Sequence, residues 1–259
     1  MERERDEALA AAELSDVVRK VRLRTPARLL MGRAGAGYRT GTQMDLREAH
    51  AAARDAVRAE LSLDDVFSNE FVERWKLFEA GSKARNKNEY LLRPDLGRRF
   101  DDNSSEEVQK RCPKASDFQV VIGDGLSVPA IAAQVPALLP LLSEGAKERG
   151  WNVGRPFVVR YCRVGILNEL GELLNPAVAV LLIGERPGLA TAESLSAYLA
   201  YRPCGAHTDA NRNVISNIHR RGLSPGEAAA RILNMAERMM EKRTSGCALE
   251  SGLMELGDR

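Results

Sequence analysis

Apolar positions recur at helical spacing in the first part of the chain. Residues 9–21 and 44–61 each place apolar side chains on one stripe, and residues 67–78 carry aromatic side chains three and four apart. The stretch 86–105 is polar and rich in turn-forming residues. We therefore predict that residues 1–116 form a helical N-terminal extension and partner-binding arm, in which the stretch 86–105 is either a linker or the arm itself.

From residue 117 onward, short continuous apolar runs alternate with helical patterns. Strands are predicted at 118–122, 156–161 and 177–183, with a shorter one at 195–201. Helices are predicted at 128–149, 164–174 and 225–242. The last of these opens with Ser224 and Glu227 in a capping-box spacing. Strand–helix alternation predicts that residues 117–259 form a doubly wound α/β domain.

Three loops are expected at one edge of this sheet, because doubly wound sheets bind ligands beyond the carboxyl ends of their strands. They are residues 123–127, 162–165 and 184–189. The last loop is the most distinctive, since it reads Gly184-Glu185-Arg186-Pro187-Gly188-Leu189 directly after an apolar strand. Two interpretations stay open for it: a tight connection with a local ion pair, or a polar anchor for a bound cofactor.

Composition narrows the classes of protein. The net charge of +2 comes from interleaved acids and bases, which argues against a nucleic-acid partner. The four cysteines form no C-x-x-C pair, which gives neither a zinc site nor a disulfide framework. The chain opens without a signal-like apolar core, and its longest apolar run, 177–183, is too short to span a membrane. We expect a cytoplasmic protein without a membrane partner.

Motifs for catalysis are weak throughout. The Gly123-x-Gly125 loop continues with Val128 at the third position of the dinucleotide fingerprint, and no acidic residue ends the second strand. Ser127 does not lie in a G-x-S-x-G motif, and the three histidines lack the spacing of metal ligands. The chain is therefore interpreted as a binding protein with no catalytic residue and no metal site of its own.

Several segments, in order, resemble the small (light) subunit of ethanolamine ammonia-lyase. The resemblance covers about residues 22–250 and includes T-P-A-R at 25–28, Y-L-L-R-P-D-L-G at 90–97, V-V-I-G-D-G-L-S at 120–127, G-E-R-P-G-L at 184–189 and R-N-V-I-S-N-I-H at 212–219. It implies a Rossmann-like fold and a hetero-oligomer with a larger, barrel-bearing subunit. The family's enzyme converts ethanolamine to acetaldehyde and ammonia by the radical chemistry of adenosylcobalamin, which lies between the subunits.

The resemblance also implies which residues of this chain contact the cofactor. They are Val164, Glu185 and Val214, and the last stands where some relatives have Cys. The family's N-terminal segment is associated in some members with a bacterial microcompartment, a role that residues 1–22 could serve here. Two alternatives remain at this point: a non-enzymatic α/β module for a nucleotide-like ligand, and a structural subunit whose loops only contact the partner.

Overall fold

The computed structural model describes residues 16–24, 28–31 and 33–249. Residues 16–23 are helical, while residues 1–15 of the predicted N-terminal helix lie outside the described part. The strands are β1 (Arg33–Ala34), β2 (Gly37–Tyr38), β3 (Glu79–Gly81), β4 (Phe118–Gly123), β5 (Phe157–Arg160), β6 (Val178–Gly184), β7 (Leu195–Tyr201) and β8 (Asn213–Ile218).

Eight further α-helices follow or separate these strands in the described residues. They are α1 (Thr40–Arg58), α2 (Leu63–Val66), α3 (Asn69–Trp75), α4 (Lys87–Leu92), α5 (Asp102–Arg111), α6 (Val128–Glu148), α7 (Ile166–Leu174) and α8 (Pro225–Lys242). Short 3₁₀ helices lie at Leu96–Arg98 and Asp209–Asn211. Helix α8 begins at the predicted capping box, in which the Ser224 and Glu227 side chains each accept from the other's backbone N–H.

The central sheet has six strands in the order β3-β5-β4-β6-β7-β8. The first four run parallel, whereas β7 and β8 are antiparallel to their neighbours, so the sheet is mixed. The reason lies in the connections. Helices α6 and α7 cross over between the parallel strands, but β6 is joined to β7 by residues 185–194 without a helix. A short connection of this kind returns the chain antiparallel.

Helices cover both faces of the sheet. Alternate residues of β4 point to opposite sides: Val120 and Ile122 join one core with α6 and α8, and Val121 joins the other with α5 and α7. Because both faces are covered, β4 and β6 are buried along their whole length. Their apolar runs were therefore readable as strands from the sequence.

Helix α6 is the one helix in the described ranges that is long and apolar enough to cross a membrane. More than half of its apolar window, 56%, is buried within the fold. Its buried side chains, among them Ile131, Leu138 and Leu142, belong to the core on one face of the sheet. The helix is thus the core helix that its position between β4 and β5 requires.

The N-terminal part is less purely helical than predicted. Strand β3, at Glu79–Gly81, pairs in parallel with β5 and forms one edge of the central sheet. Helices α4 and α5 occupy the stretch 86–105 and its continuation, which the sequence pattern presented as turn-rich. Strand β3 was missed because a strand of three residues shows no readable alternation of apolar and polar positions.

Candidate functional site

The direction in which successive strands are added to the sheet reverses at β4. Strand β5 lies on one side of β4 and β6 lies on the other, so the two crossovers leave on opposite faces and open a crevice at the carboxyl ends of the strands. The loops that follow β4, β5 and β6 meet there, as the sequence predicted. This crevice is the candidate functional site.

Two glycines allow the loops after β4 and β6 to touch backbone to backbone. Gly125 has a φ of 57°, in the left-handed region that glycine enters without strain. A Cβ atom on Gly184 would lie 2.0 Å from the Ser127 carbonyl oxygen. The Leu126 N–H donates to the Gly184 carbonyl at 3.1 Å, which closes the contact. Glycine at these two positions is therefore a condition for the crevice.

Val164, Glu185 and Val214 line one cavity of about 450 Å³ at this crevice. They come from the loop after β5, the loop after β6 and strand β8, so the fold brings together residues far apart in sequence. Val164 and Glu185 are half-buried, and Val214 is 48% exposed. The cavity walls are glycine backbone, apolar side chains and a small number of polar groups, the mixture typical of ligand sites.

The Glu185 carboxylate is held by neutral donors. The Ser194 hydroxyl donates to Oε2 at 2.7 Å, and the Ser196 hydroxyl donates to Oε1 at 2.7 Å. The Asn217 backbone N–H donates to Oε1 at 3.0 Å. The local ion pair with Arg186, one interpretation of this loop, is therefore replaced by hydrogen bonds to β7 and β8. A carboxylate accepts about four hydrogen bonds, so roughly one acceptor position remains for a ligand.

A buried ion pair lies at the end of β4. Lys87 Nζ of α4 is 3.6 Å from Asp124 Oδ2, and both side chains are almost fully buried. Burial raises the pKa of the Asp124 carboxyl and lowers the pKa of the Lys87 ammonium. Asp124 Oδ1 accepts the Cys162 N–H at 2.8 Å. The pair thus fixes the loop after β4 to the loop after β5.

Helix α4 contributes a further wall that sequence reasoning missed. Tyr90 is fully buried and donates its hydroxyl to the Cys162 carbonyl at 2.9 Å. Burial raises the pKa of this phenol, so it stays protonated at neutral pH and acts as a donor. The Arg163 guanidinium lies over the Tyr90 ring, with 4.3 Å between Cζ and the ring centroid. The motif Y-L-L-R-P-D-L-G therefore lies directly beside the site.

The polar groups of the site are those of a binding surface. The Glu185 carboxylate and the Ser196 and Tyr90 hydroxyls are engaged in fixing the loops. Among the described residues, no group of three or more His, Cys, Asp or Glu could hold a metal ion. What faces the cavity is an apolar wall, a partly free carboxylate and arginine side chains. Such groups bind and orient a polar ligand.

The chain is similar to a known family along most of its length. The family model of the ethanolamine ammonia-lyase light chain (EutC) matches residues 15–250. The chain is 43% identical to the ethanolamine ammonia-lyase small subunit of Clostridium perfringens over 231 residues, covering 89% of this chain and 76% of that one. The small subunit of Listeria monocytogenes is 42% identical, with 89% and 77% covered. That of Lachnoclostridium phytofermentans is 40% identical, with 88% and 75% covered.

Proposed function

Since the chain belongs to the ethanolamine ammonia-lyase light chain family, we propose that it is the small subunit of an ethanolamine ammonia-lyase. With a large subunit it forms a hetero-oligomer that converts ethanolamine to acetaldehyde and ammonia. The observation that carries the proposal is the family match over residues 15–250, which includes every loop of the crevice. The alternative of a free-standing nucleotide-binding module is not favoured, because the relatives are named as subunits of this enzyme.

We propose further that the crevice holds part of adenosylcobalamin through Val164, Glu185 and Val214. The residues present fit such a group. The remaining acceptor position of Glu185 suits an amide N–H of a corrin side chain, and the two valines offer an apolar wall to the ring. A cavity of about 450 Å³ is smaller than cobalamin, which agrees with a site shared with the large subunit.

This chain's residues then bind and orient. Bound adenosylcobalamin supplies the radical chemistry through its cobalt–carbon bond. Glu185, fixed by Ser194 and Ser196, presents an acceptor in one orientation, so little ordering is needed on binding. The Lys87–Asp124 pair and Tyr90 hold the loop that carries Val164. We assign no catalytic residue to this chain.

Reconstitution tests the assignment. This chain would be co-expressed with the large subunit from the same genome, and acetaldehyde release from ethanolamine measured with and without adenosylcobalamin. We expect turnover only when both chains and the cofactor are present. Turnover by the large subunit alone at the same rate, or failure of the two chains to copurify, would contradict the proposal.

Three finer assignments belong to the same proposal. The fold is classed as Rossmann-like on the support of the order β5-β4-β6 with helices on both faces. Residues 1–116 are proposed as the arm that contacts the large subunit. The boundary at residue 117 would then separate two roles of the chain. It does not separate two sheets, since β3 pairs with β5 across it.

Residues 1–22 are proposed to direct the enzyme into a bacterial microcompartment in cells that form one. The helical residues 16–23 supply part of the amphipathic segment that supports this role. Fusion of residues 1–22 to a fluorescent protein would test it in shell-forming cells. Punctate fluorescence that coincides with shell proteins is expected, and diffuse fluorescence would contradict the proposal.

A further inference from the structure

A second cavity continues from the crevice along the carboxyl edge of the sheet. It has a volume of about 420 Å³ and shares Val164 and Val214 with the first cavity. Its lining includes three arginines, Arg98, Arg163 and Arg212, of which Arg163 also lines the first cavity, and one carboxylate, that of Asp209. The cavity is therefore an extension of the proposed cofactor site in which positive charge predominates.

Arg212 is built into this wall. Its side chain is 4% exposed, its guanidinium is paired with Asp209, and its Nη2 donates to Asn168 Oδ1 at 2.6 Å. Nε is buried and has no hydrogen-bond partner among the described residues. Because an unpaired buried donor is costly, Nε requires an acceptor that the described residues do not supply.

Arg163 and Arg98 complete the basic wall. Nε of Arg163 is likewise buried without a partner in the described part of the chain, while its guanidinium rests on the Tyr90 ring. The aliphatic part of Arg98 lies over Gly165, since a Cβ atom there would be 2.8 Å from Arg98 Cγ. Arg98 and Arg212 are close enough that the charge of Arg98 contributes to lowering the pKa of Arg212, after burial as the main cause. Three arginines and one carboxylate thus line the same cavity.

Two carboxylates of the adjoining cavity are fixed by backbone N–H groups, which leave their charges in place. Glu169 accepts the Phe100 N–H at 2.7 Å, and Glu172 accepts the Gly205 N–H at 2.9 Å. Each is thereby engaged in holding a loop. The lining of the three-arginine cavity itself holds one carboxylate, Asp209, against three arginines, and this balance favours an anionic ligand.

We infer that this three-arginine cavity binds the phosphodiester in the nucleotide loop of cobalamin. The inference rests on the proposed function and extends it to residues that the resemblance does not name. The corrin side chains of cobalamin end in neutral amides, whereas its nucleotide loop carries an anionic phosphodiester. Guanidinium groups bind phosphate oxygens by charge-assisted, often bidentate hydrogen bonds. The cavity adjoins Val164 and Val214, so one cofactor molecule can reach both.

The test compares two ligands on the complex of this chain with its large subunit. Cyanocobalamin contains the nucleotide loop, and cobinamide lacks the loop with its phosphodiester. We expect Arg98→Met to weaken cyanocobalamin binding about tenfold and cobinamide binding less than about twofold, measured by absorbance titration. Arg98 is exposed, so its replacement leaves the fold intact. Arg212→Met, checked by circular dichroism for folding, should show the same selectivity.

Arg220→Met is the matched control, because Arg220 is exposed, lies outside the proposed partner-binding arm and lines neither cavity. It should change the affinity for neither ligand. Provided that the wild-type complex binds cyanocobalamin, two results for Arg98→Met would overturn the inference. One is equal weakening of the binding of both ligands, and the other is no weakening of either. A wild-type complex that binds neither ligand would overturn the cofactor proposal itself.

Discussion

Asp124 and Glu185 occupy matching places in the fold and have opposite surroundings. Each follows directly on a parallel strand, Asp124 after β4 and Glu185 after β6, and the two strands are neighbours. Asp124 is fully buried and paired with the ammonium of Lys87. Glu185 is half-buried and receives hydrogen bonds from two hydroxyls and one backbone N–H.

The difference lies in what cancels the negative charge. Lys87 cancels the charge of Asp124 inside the protein, so that carboxylate can only hold loops together. Neutral donors fix Glu185 and leave its charge for a ligand. Position at the carboxyl edge alone therefore does not decide whether a carboxylate keeps an acceptor position and a charge for a ligand. The neighbouring elements make the difference. Helix α4 supplies the ammonium that pairs with Asp124, whereas neutral hydroxyls at the start of β7 donate to Glu185.

The largest effect is expected from breaking the buried pair. Asp124→Asn leaves the Lys87 ammonium buried without a counter-charge, which should lower the free energy of unfolding by roughly 3–5 kcal/mol. The double variant Lys87→Met with Asp124→Asn removes both charges and should recover a large part of that loss. Urea unfolding followed by circular dichroism measures both. Equal losses in the single and double variants would contradict the structural role of the pair.

A smaller effect is expected where the two loops touch. Gly184→Ala would place a Cβ atom 2.0 Å from the Ser127 carbonyl oxygen, and the displacement should cost about 1–3 kcal/mol of unfolding free energy. Gly188→Ala in the same loop is the control, because its nearest neighbour would be 4.0 Å away. Thermal unfolding of the two variants should separate them clearly. If Gly188→Ala were as destabilising, backbone freedom rather than the close approach would be responsible.

Glu185→Gln sharpens the functional side of the comparison. The amide oxygen can still accept from Ser196 and the amide nitrogen can donate to the Ser194 hydroxyl, so stability should change by less than about 1 kcal/mol. Loss of the charge should weaken cobalamin binding to the two-subunit complex about tenfold. Glu193→Gln, at an exposed neighbouring position, should have no effect. Unchanged affinity in Glu185→Gln would reduce Glu185 to a structural residue.

The smallest effect is expected for the stabilising contribution of Glu227, an exposed carboxylate outside the crevice. The Ser224 hydroxyl and N–H donate to Glu227 at the start of α8 and lower its pKa. A carboxyl whose folded pKa lies below its unfolded value stabilises above that unfolded value, and loses the effect as pH falls through the folded pKa. Glu227→Gln should therefore lower the melting temperature at pH 7 but not well below pH ~4. A difference that persists in acid would contradict this cause.

Local features of the molecule could be predicted from sequence alone. The buried strands β4 and β6 and the capped helix α8 are encoded in contiguous residues, so their patterns were sufficient. The three-residue strand β3 forms because β5 offers it a partner, and no local pattern announces that. The antiparallel return of β7 was not foreseen either, although the connection of residues 185–194 is too short for a crossover helix.

The candidate site divides in the same way. The loop Gly184–Leu189 drew attention to Glu185 through its own composition. Val164 and Val214 are ordinary apolar residues, and only the resemblance pointed to them. Lys87 and Tyr90 were missed because their contacts with Asp124 and Cys162 join distant segments. One usable signal was Ser194 and Ser196, whose spacing of two places both hydroxyls on the same face as Glu185.

The contacts of the crevice can form only in a certain order during synthesis of the chain. A ribosome delivers the chain from its N-terminus, and Lys87 and Tyr90 emerge well before their partners at Asp124 and Cys162. The carboxylate of Glu185 must then wait for the Asn217 N–H, which completes its set of donors. A nascent chain that ends before β8 lacks both the Asn217 donor and the Val214 wall of the cavity. If Glu185 binds the cofactor as proposed, its site is complete only after β8 has been synthesised.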